Sequence, residues 1–268
     1  MIYSEEAIRK GIPSEIGGVF VYDEIDSTNT EAKRYALSGG TAPALFVADR
    51  QTSGRGRLGR SFYSPEGTGI YMSLLLPVKE RLEDTLLMTS AAAVAVRRAI
   101  RSVCGIETGI KWVNDLYLND RKICGILCEL LSVENMMIVG VGINLSTEDF
   151  PSDIANKAGS LGVFGEGVRE ALCASCASEL YGMWSELHTV GLVEEYKQGS
   201  IVLGREVCYV ENGQTYYGKA VDIDDRGRLY VEDNTGVIHT LASGEISLTF
   251  SFKKEKVSKK KTPTLVLR

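Results

Sequence analysis

The apolar pattern of the chain changes near Gly199, and the two sides of that change require different architectures. Beyond it, residues 201–250 contain short strand-like runs separated by turn sequences, one of which is DNTG at residues 233–236. Regularly spaced short strands joined by tight turns are typical of a small β-barrel. We therefore predict a large unit over residues 1–200 and a small β unit over residues 201–250.

The first 200 residues combine helical and strand patterns. Residues 82–103 and 168–187 repeat apolar side chains at the spacing of a helix. Residues 44–48 and 70–76 are short apolar runs, which are typical of buried strands. Further strand-like runs are predicted at residues 109–118, 122–131 and 136–145, and shorter helices at residues 29–37 and 192–197.

The overall charge excludes a molecule that binds nucleic acid over its whole surface. The chain has 30 Lys and Arg against 35 Asp and Glu, which gives a net charge of -5, so any basic function must be local. No apolar run is long enough to span a bilayer, and the first residues lack a signal pattern, so we expect a cytoplasmic protein without membrane contact. The lysine-rich stretch at residues 251–268 is predicted to be a disordered tail.

The cysteines and histidines do not form a convincing metal pattern. Cys173 and Cys176 are close in sequence, but they lie in a predicted helix and no second pair completes a zinc set. Buried, reduced structural thiols are therefore the preferred interpretation. His188 and His239 are isolated from each other and are likewise interpreted as structural residues. The remaining cysteines are Cys104, Cys124, Cys128 and Cys208.

The segment at residues 51–69, QTSGRGRLGRSFYSPEGTG, carries the strongest chemical signal. Glycines at positions 54, 56 and 59 allow the backbone to approach a ligand closely, and arginines bind phosphate in a bidentate manner. The segment lacks the Lys-Ser/Thr ending of a Walker loop and leads into a strand, which also excludes a dinucleotide fingerprint. By itself it is equally compatible with a solvated loop or an Arg/Gly-rich nucleic-acid contact.

Lys111 is the second chemical signal, because it lies within the apolar sequence Ile110, Trp112 and Val113. A lysine in such surroundings is unfavourable unless its ammonium meets an anion. The alternative is a lysine whose ammonium reaches the solvent at the edge of the sheet. The residues alone leave both alternatives open.

Five motifs follow one another along the chain: DSTN at residues 26–29, QTSGRGRLGR at 51–60, KWVNDLY at 111–117, KICGILCE at 122–129 and GVGINL at 140–145. This ordered set resembles the biotin protein ligase family, and the sequence GEISL at residues 244–248 is similar to the end of that family's SH3-like domain. The resemblance extends from about residue 19 to residue 250. Each motif alone is modest evidence, but the complete order is highly specific.

The resemblance implies an α+β fold, with a mixed, largely antiparallel sheet flanked by helices, similar to class II aminoacyl-tRNA synthetases and biotin synthetases, followed by an SH3-like barrel. It implies an enzyme that uses ATP and Mg²⁺ to convert biotin into biotinyl-5′-AMP and then biotinylates a lysine of a biotin carboxyl carrier protein. Mg²⁺ is expected to arrive with ATP, because no dedicated set of metal ligands is visible in the sequence. A monomer and a homodimer are both compatible with the sequence.

The resemblance also implies roles for single residues. Ser27, Thr28, Asn29 and Gln51 are expected to bind the ureido ring of biotin, with Gly125 allowing the ligand to pass close to a strand. Arg55, Gly56 and Arg57 are expected to form a loop that closes over biotin and its adenylate. Lys111 and Arg57 are the expected catalytic cations, because both would meet the biotin carboxylate and the α-phosphate. The expected ATP-binding residues are Arg57, Arg60, Phe62, Lys111, Asn114 and Asn144.

Two positions depart from the family pattern. Val113 stands where the family usually has Pro, and Phe62 stands where it commonly has Trp. Phe62 is still able to stack on adenine, with a smaller ring area. Neither change removes a charged residue, so the expected activity is unchanged, whereas the affinity for ATP is open.

Two other functions compete with this interpretation. A lipoate ligase shares the fold and chemistry, but it is expected to carry a different loop, rich in Arg, Ser and Gly, in place of GRGRLGR. A DNA-binding regulator would need an N-terminal helix-turn-helix, and about twenty residues before the first motif are too few for one. We therefore expect the short form of the enzyme, without specific DNA binding.

Overall fold

The computed structural model describes residues 3–78, 85–132, 134–187, 191–211 and 213–248. The predicted tail, His188 and the first three residues of the predicted helix at 82–103 lie outside these ranges. The described part of the chain forms two sheets and five helices, which agrees with the predicted α+β class. None of these helices is both long and apolar enough to cross a membrane.

The larger sheet has seven strands in the order β1-β2-β3-β7-β6-β5-β4. Only β1 and β2 are parallel, and every other neighbouring pair is antiparallel, so the sheet is mixed and largely antiparallel as expected. The strands are β1 (Gly18–Ile25), β2 (Ala44–Gln51), β3 (Gly69–Pro77), β4 (Gly109–Lys111), β5 (Asp115–Leu118), β6 (Arg121–Leu131) and β7 (Met136–Asn144).

The prediction of one strand-like run over residues 109–118 was wrong. The run turns back on itself, so that Lys111 on β4 pairs with Asp115 on β5. The turn buries Trp112 and Val113 completely, and the peptide bond between them is cis. An apolar run therefore reflected a buried turn and not a longer strand.

Helices cover both faces of the larger sheet. The helices α3 (Thr85–Cys104), α4 (Val168–Ser185) and α5 (Leu192–Gly199) pack together on one face, where the buried alanines of α3 allow close contact. Helix α2 (Thr28–Leu37) packs on the opposite face against β2, β3 and β7. Helix α1 (Glu5–Lys10) was not predicted, because six residues are too few to establish a helical period.

The smaller sheet is antiparallel and has five strands in the order β11-β10-β9-β8-β12. It agrees with the β unit expected in the C-terminal part of the chain. The exact division of the chain near residue 200 stays a prediction. The strands are β8 (Glu206–Glu211), β9 (Gln214–Ile223), β10 (Leu229–Glu232), β11 (Ile238–Leu241) and β12 (Ile246–Leu248).

The two sheets are connected by polar contacts. The indole Nε1 of Trp112 donates a hydrogen bond of 2.9 Å to the carbonyl oxygen of Gly227, and the Lys197 ammonium pairs with Asp222 at 2.6 Å. The buried turn between β4 and β5 is therefore held against the smaller sheet.

Trp112→Phe is expected to lower the free energy of unfolding by about 1–3 kcal/mol, because the buried Gly227 carbonyl would lose its donor. Urea denaturation followed by circular dichroism measures this difference. An unchanged midpoint at an unchanged slope would show that the contact contributes nothing to stability.

All six cysteines are free, and Cys124, Cys173 and Cys176 are buried. Burial raises the pKa of the Cys173 thiol to about 12, so this thiol is protonated and unreactive at neutral pH. Among the described residues, no three His, Cys, Asp or Glu side chains come together in a way that could hold a metal ion.

Candidate functional site

A cleft of about 890 Å³, including its open mouth, lies over the face of the larger sheet that carries α2. Its floor is formed by backbone and small side chains of β3, β6 and β7. Its walls are the N-terminus of α2, the loop at residues 55–62, and the turn between β4 and β5. Gly244 and Glu245, from the segment before β12, close one end.

The cleft collects residues that are far apart in the sequence. Nearly all of the residues assigned by the family resemblance line it: Ser27, Thr28, Asn29, Gln51, Arg55, Gly56, Arg57, Arg60, Phe62, Lys111, Asn114 and Gly125. Asn144 is the exception, because it lies at the end of β7 outside the lining. Its Nδ2 donates to the carbonyl of Gly159 at 2.9 Å, and it is only 4% exposed.

The start of α2 provides a group of buried polar atoms. Ser27 occupies the N-cap position of α2, but its hydroxyl makes no capping hydrogen bond, which leaves it available to a ligand. The backbone N–H of Thr28 donates to Gln51 Oε1 at 2.8 Å, and Gln51 Nε2 donates to Ser64 Oγ at 2.9 Å. Asn29 Nδ2 donates to Glu129 at 2.8 Å. These contacts hold the polar atoms at the α2 end of the cleft in fixed positions.

Three glycines in the floor of the cleft allow other side chains to approach the backbone closely. A Cβ atom on Gly140 would lie 2.0 Å from Asn29 Oδ1, and one on Gly142 would lie 2.5 Å from the Phe62 ring. A Cβ atom on Gly125 would lie 3.3 Å from both Phe62 and Lys122. The Phe62 ring therefore lies directly over the backbone of β6 and β7.

The loop at residues 55–62 carries three arginines, and each contacts a different part of the molecule. Arg55 pairs with Glu129 of β6 at 2.9 Å, Arg57 Nη1 donates to Asn114 Oδ1 at 3.0 Å, and Arg60 donates to Glu245 at 2.8 Å. Leu58 at the tip has a φ of 56° and is 74% exposed. The loop is thus fastened by its arginines and not by an apolar anchor.

Lys111 is half-buried in the wall of the cleft, and its Nζ donates to Tyr117 Oη at 3.5 Å. It forms no ion pair within the described parts of the chain. Burial lowers the pKa of this lysine, while the nearby carboxylates of Asp115 and Glu245 oppose that effect. Lys111 is therefore a partly desolvated cation that an anionic ligand would stabilise.

Lys122 is a cleft residue that the sequence analysis did not assign. Its ammonium pairs with Asp115 at 2.7 Å and lies next to the floor at Gly125. The signal was present in the motif at residues 122–129, from which only Gly125 had been given a role. The cleft therefore contains two lysines in addition to its arginines.

The balance of charges suits the binding of an anion. Burial opposes ionisation of Glu245, but the hydrogen bond from Arg60 lowers the pKa of its carboxyl below the usual value. Glu245 is thus an ionised partner that holds Arg60 in place. The cleft lining contains arginines and lysines but, among the described residues, neither histidine nor cysteine.

The chain matches two protein families in tandem. Residues 21–145 match the Biotin/lipoate A/B protein ligase family, and residues 202–249 match the Biotin protein ligase C terminal domain. The first region contains almost every cleft residue described above. The second contains the strands of the smaller sheet and the segment that carries Glu245.

Individual relatives agree with these matches. The chain is 36% identical over 260 residues to the Bifunctional ligase/repressor BirA of Bacillus subtilis, covering 91% of this chain and 79% of the relative. It is 29% identical to the Biotin--[acetyl-CoA-carboxylase] ligase of Mycobacterium tuberculosis, covering 79% and 82%. It is also similar to the biotin protein ligase from Aquifex aeolicus in complex with biotin and ATP, with a TM-score of 0.72, 30% identity, and coverage of 88% and 100%. The chain belongs to the biotin protein ligase family.

Proposed function

We propose that the cleft activates biotin with ATP to form biotinyl-5′-AMP and pyrophosphate, and then transfers the biotinyl group to a lysine of a carrier protein. One observation carries this proposal: a fixed set of buried polar atoms and a group of arginines and lysines share a single cleft. The first suits the ureido ring of biotin, and the second suits a carboxylate that must approach a phosphate.

The α2 end of the cleft is the proposed seat of the ureido ring. The free hydroxyl of Ser27 supplies a donor for the ureido oxygen, and oxygens of Thr28 and Asn29 supply acceptors for its N–H groups. The Phe62 ring, which lies over Gly142, is proposed to give the rings of biotin an apolar contact surface. The biotin tail then points toward the lysines and the loop.

The cations of the cleft are proposed to stabilise the first step. The attack of a carboxylate on the α-phosphate brings two anions together, and negative charge spreads over the phosphoryl oxygens in the transition state. Arg57, Lys111 and Lys122 are fixed donors that offset this repulsion without reorganisation. Mg²⁺ enters as part of the ATP substrate, with its charge on the phosphates.

The ATP-side residues are proposed to be Arg60, Phe62 and Asn114. The Phe62 ring lies over the glycine backbone of β6 and β7, and it is proposed to stack on adenine. Asn144 lies outside the lining, and its Oδ1 has no hydrogen-bond partner among the described residues. A role for Asn144 therefore requires that the nucleotide extends past the end of β7.

The loop at residues 55–62 is proposed to act as a lid over the adenylate. A mixed anhydride is rapidly hydrolysed by water, so a lid that closes over it protects the intermediate. The second step needs no enzyme nucleophile, because the amine of the carrier lysine attacks the acyl carbon and AMP leaves. By analogy with a relative named for acetyl-CoA carboxylase, we propose the carrier of that enzyme as the acceptor. The cytoplasm is the proposed place of reaction.

Incubation with ATP, biotin and an apo carrier domain, followed by intact-mass measurement, tests the proposed function. The expected result is a carrier heavier by one biotinyl group only when all three components are present. Lipoic acid in place of biotin serves as the control acid and is expected to give no adduct. An unmodified carrier, or equal modification with lipoic acid, would contradict the proposal.

Arg57→Gly is expected to allow biotinyl-5′-AMP to escape from the cleft, because the hydrogen bond from Arg57 to Asn114 fastens the lid. The adenylate should still form, although more slowly because one stabilising cation is lost, and it should appear in solution in the absence of carrier. Rapid quench followed by filtration separates bound from free intermediate. Leu58→Gly is the matched control, because it increases backbone freedom in the same loop without removing a cation. Retained intermediate in Arg57→Gly would disprove the lid assignment.

A further inference from the structure

Glu129 ends the fourth motif, and the functions assigned so far do not use it. Its carboxylate lies on β6 and accepts hydrogen bonds from two parts of the cleft. Oε2 accepts from Asn29 Nδ2 at 2.8 Å and from Arg55 Nη1 at 3.0 Å, and Oε1 accepts from Arg55 Nη2 at 2.9 Å. The ureido-binding group of Ser27, Thr28 and Asn29 is called the ring seat below. The Glu129 side chain thus contacts both the ring seat and the proposed lid.

The Glu129 carboxylate determines which way the Asn29 amide points. An ionised carboxylate only accepts hydrogen bonds, so the atom of Asn29 that faces it must be the nitrogen. The same nitrogen donates to the carbonyl of Leu127 at 3.3 Å. Both amide hydrogens are therefore directed at β6, and Asn29 Oδ1 points the other way.

The orientation of Asn29 also determines which of its neighbours donate hydrogen bonds and which accept them. Ser73 Oγ lies 2.6 Å from Asn29 Oδ1 and 2.7 Å from Thr28 Oγ1. A hydroxyl has a single hydrogen, and the amide oxygen has none to give, so Ser73 donates to Asn29. The Thr28 hydroxyl then gives its own hydrogen to Ser73 Oγ at 2.7 Å and not to Gln51 Oε1, which lies farther away at 3.2 Å and already accepts from the Thr28 backbone N–H. Its remaining lone pairs, like the free lone pair of Asn29 Oδ1, are left as acceptors.

We propose that Glu129 is a positioning residue that gives the ring seat its acceptor polarity and ties that seat to the lid through Arg55. This inference rests on the proposed function, and it names the class of ring that the seat selects. A ring that carries N–H donors, such as a cyclic urea, satisfies the acceptors. A ring without donors, such as a dithiolane, leaves buried acceptors unpaired and is rejected.

Glu129→Gln tests the proposal, because the amide has nearly the shape of the carboxylate but is able to donate as well as accept. The Asn29 amide would no longer be fixed, and the ion pair to Arg55 would be lost. We expect the dissociation constant for biotin to rise about tenfold or more, as for the loss of a hydrogen bond to a charged group. The KM for biotin in carrier biotinylation should rise with the dissociation constant.

Glu24→Gln is the matched control, because Glu24 forms a comparable ion pair with Arg50 at 2.8 Å on the half-exposed edge of β1 and β2. It should leave biotin affinity unchanged. Ser73→Ala is the second variant. It removes the hydrogen bond from Ser73 to Asn29 Oδ1, while the ion pair between Glu129 and Arg55 stays intact. It should also weaken biotin binding, and it decides the question if Glu129→Gln does not fold.

Titration calorimetry with biotin alone distinguishes the outcomes, because it reports the fraction of competent protein separately from the dissociation constant. Weaker binding at full stoichiometry in Glu129→Gln and Ser73→Ala supports the proposal. Reduced stoichiometry with an unchanged dissociation constant would show a merely structural role and overturn it, as would wild-type affinity in both variants. A wild-type protein that fails to bind biotin would instead contradict the proposed function.

Discussion

Gly140→Ala is expected to weaken biotin binding by about a hundredfold, because an added methyl group in this tightly packed position cannot be accommodated without moving the ring seat. Gly140 lies on β7, where it pairs with Ser73 of β3 and with Leu127 of β6. The new Cβ atom would lie 2.0 Å from Asn29 Oδ1, so the amide must leave its position. Its contacts to Glu129 and Ser73 would be lost together.

Calorimetry with biotin measures this effect, and Gly182→Ala is the matched control. Gly182 lies within α4, and a Cβ atom added there meets no atom within 4 Å. The control should bind biotin normally and be no less stable than the wild type, since alanine favours a helix over glycine. Unchanged biotin affinity in Gly140→Ala would show that Asn29 does not contribute to the seat.

Lys111→Ala and Lys122→Ala are each expected to lower biotin-dependent exchange of pyrophosphate into ATP by about 10²–10³, a range typical for the loss of one fixed donor to a developing oxyanion. The two lysines approach the cleft from different strands. Lys122 is paired with Asp115, whereas Lys111 has no ion-pair partner in the described ranges and contacts the Tyr117 hydroxyl. Exchange reports only the first half-reaction, so a fault in carrier binding does not affect it.

The pH dependence of exchange separates the two lysines. Because burial lowers the pKa of Lys111, its ammonium loses its proton at a lower pH than an ordinary lysine, and exchange should decline with it as pH rises. Lys111→Arg keeps the positive charge to higher pH and should move this decline upward. Near-normal exchange in Lys111→Ala would remove Lys111 from the mechanism and leave Lys122 as the lysine that contacts the acyl phosphate.

The sequence was sufficient to predict most of the regular elements, because their apolar periods are strong. The helix at α3 and the strand at β3 both follow from patterns within one short segment. The turn around Trp112 was predicted wrongly, because a buried turn is as apolar as a buried strand. Helix α1 is held by a cap at Ser4 and is too short to show a period.

The cleft could be predicted only in part. Loop residues such as Arg57 have a recognisable local pattern, but the contact between Asn29 and Glu129 joins positions 100 residues apart. Neither side chain is unusual within its own segment. Only the order of the strands, with β7 between β3 and β6, brings Ser73, Gly140 and Glu129 together beneath α2. The polarity of the ring seat is thus a property of the tertiary structure.

The central claim is that cations from the loop and from the sheet meet a single acyl phosphate. A crystal structure with a non-hydrolysable analogue of biotinyl-5′-AMP tests it most directly. We predict that phosphoryl oxygens of the analogue accept hydrogen bonds from Arg57 and from the ammonium groups of Lys111 and Lys122. The ureido ring should lie against Thr28 and Asn29. A phosphate bound outside the cleft, or one that contacts solvent in place of these cations, would contradict the account.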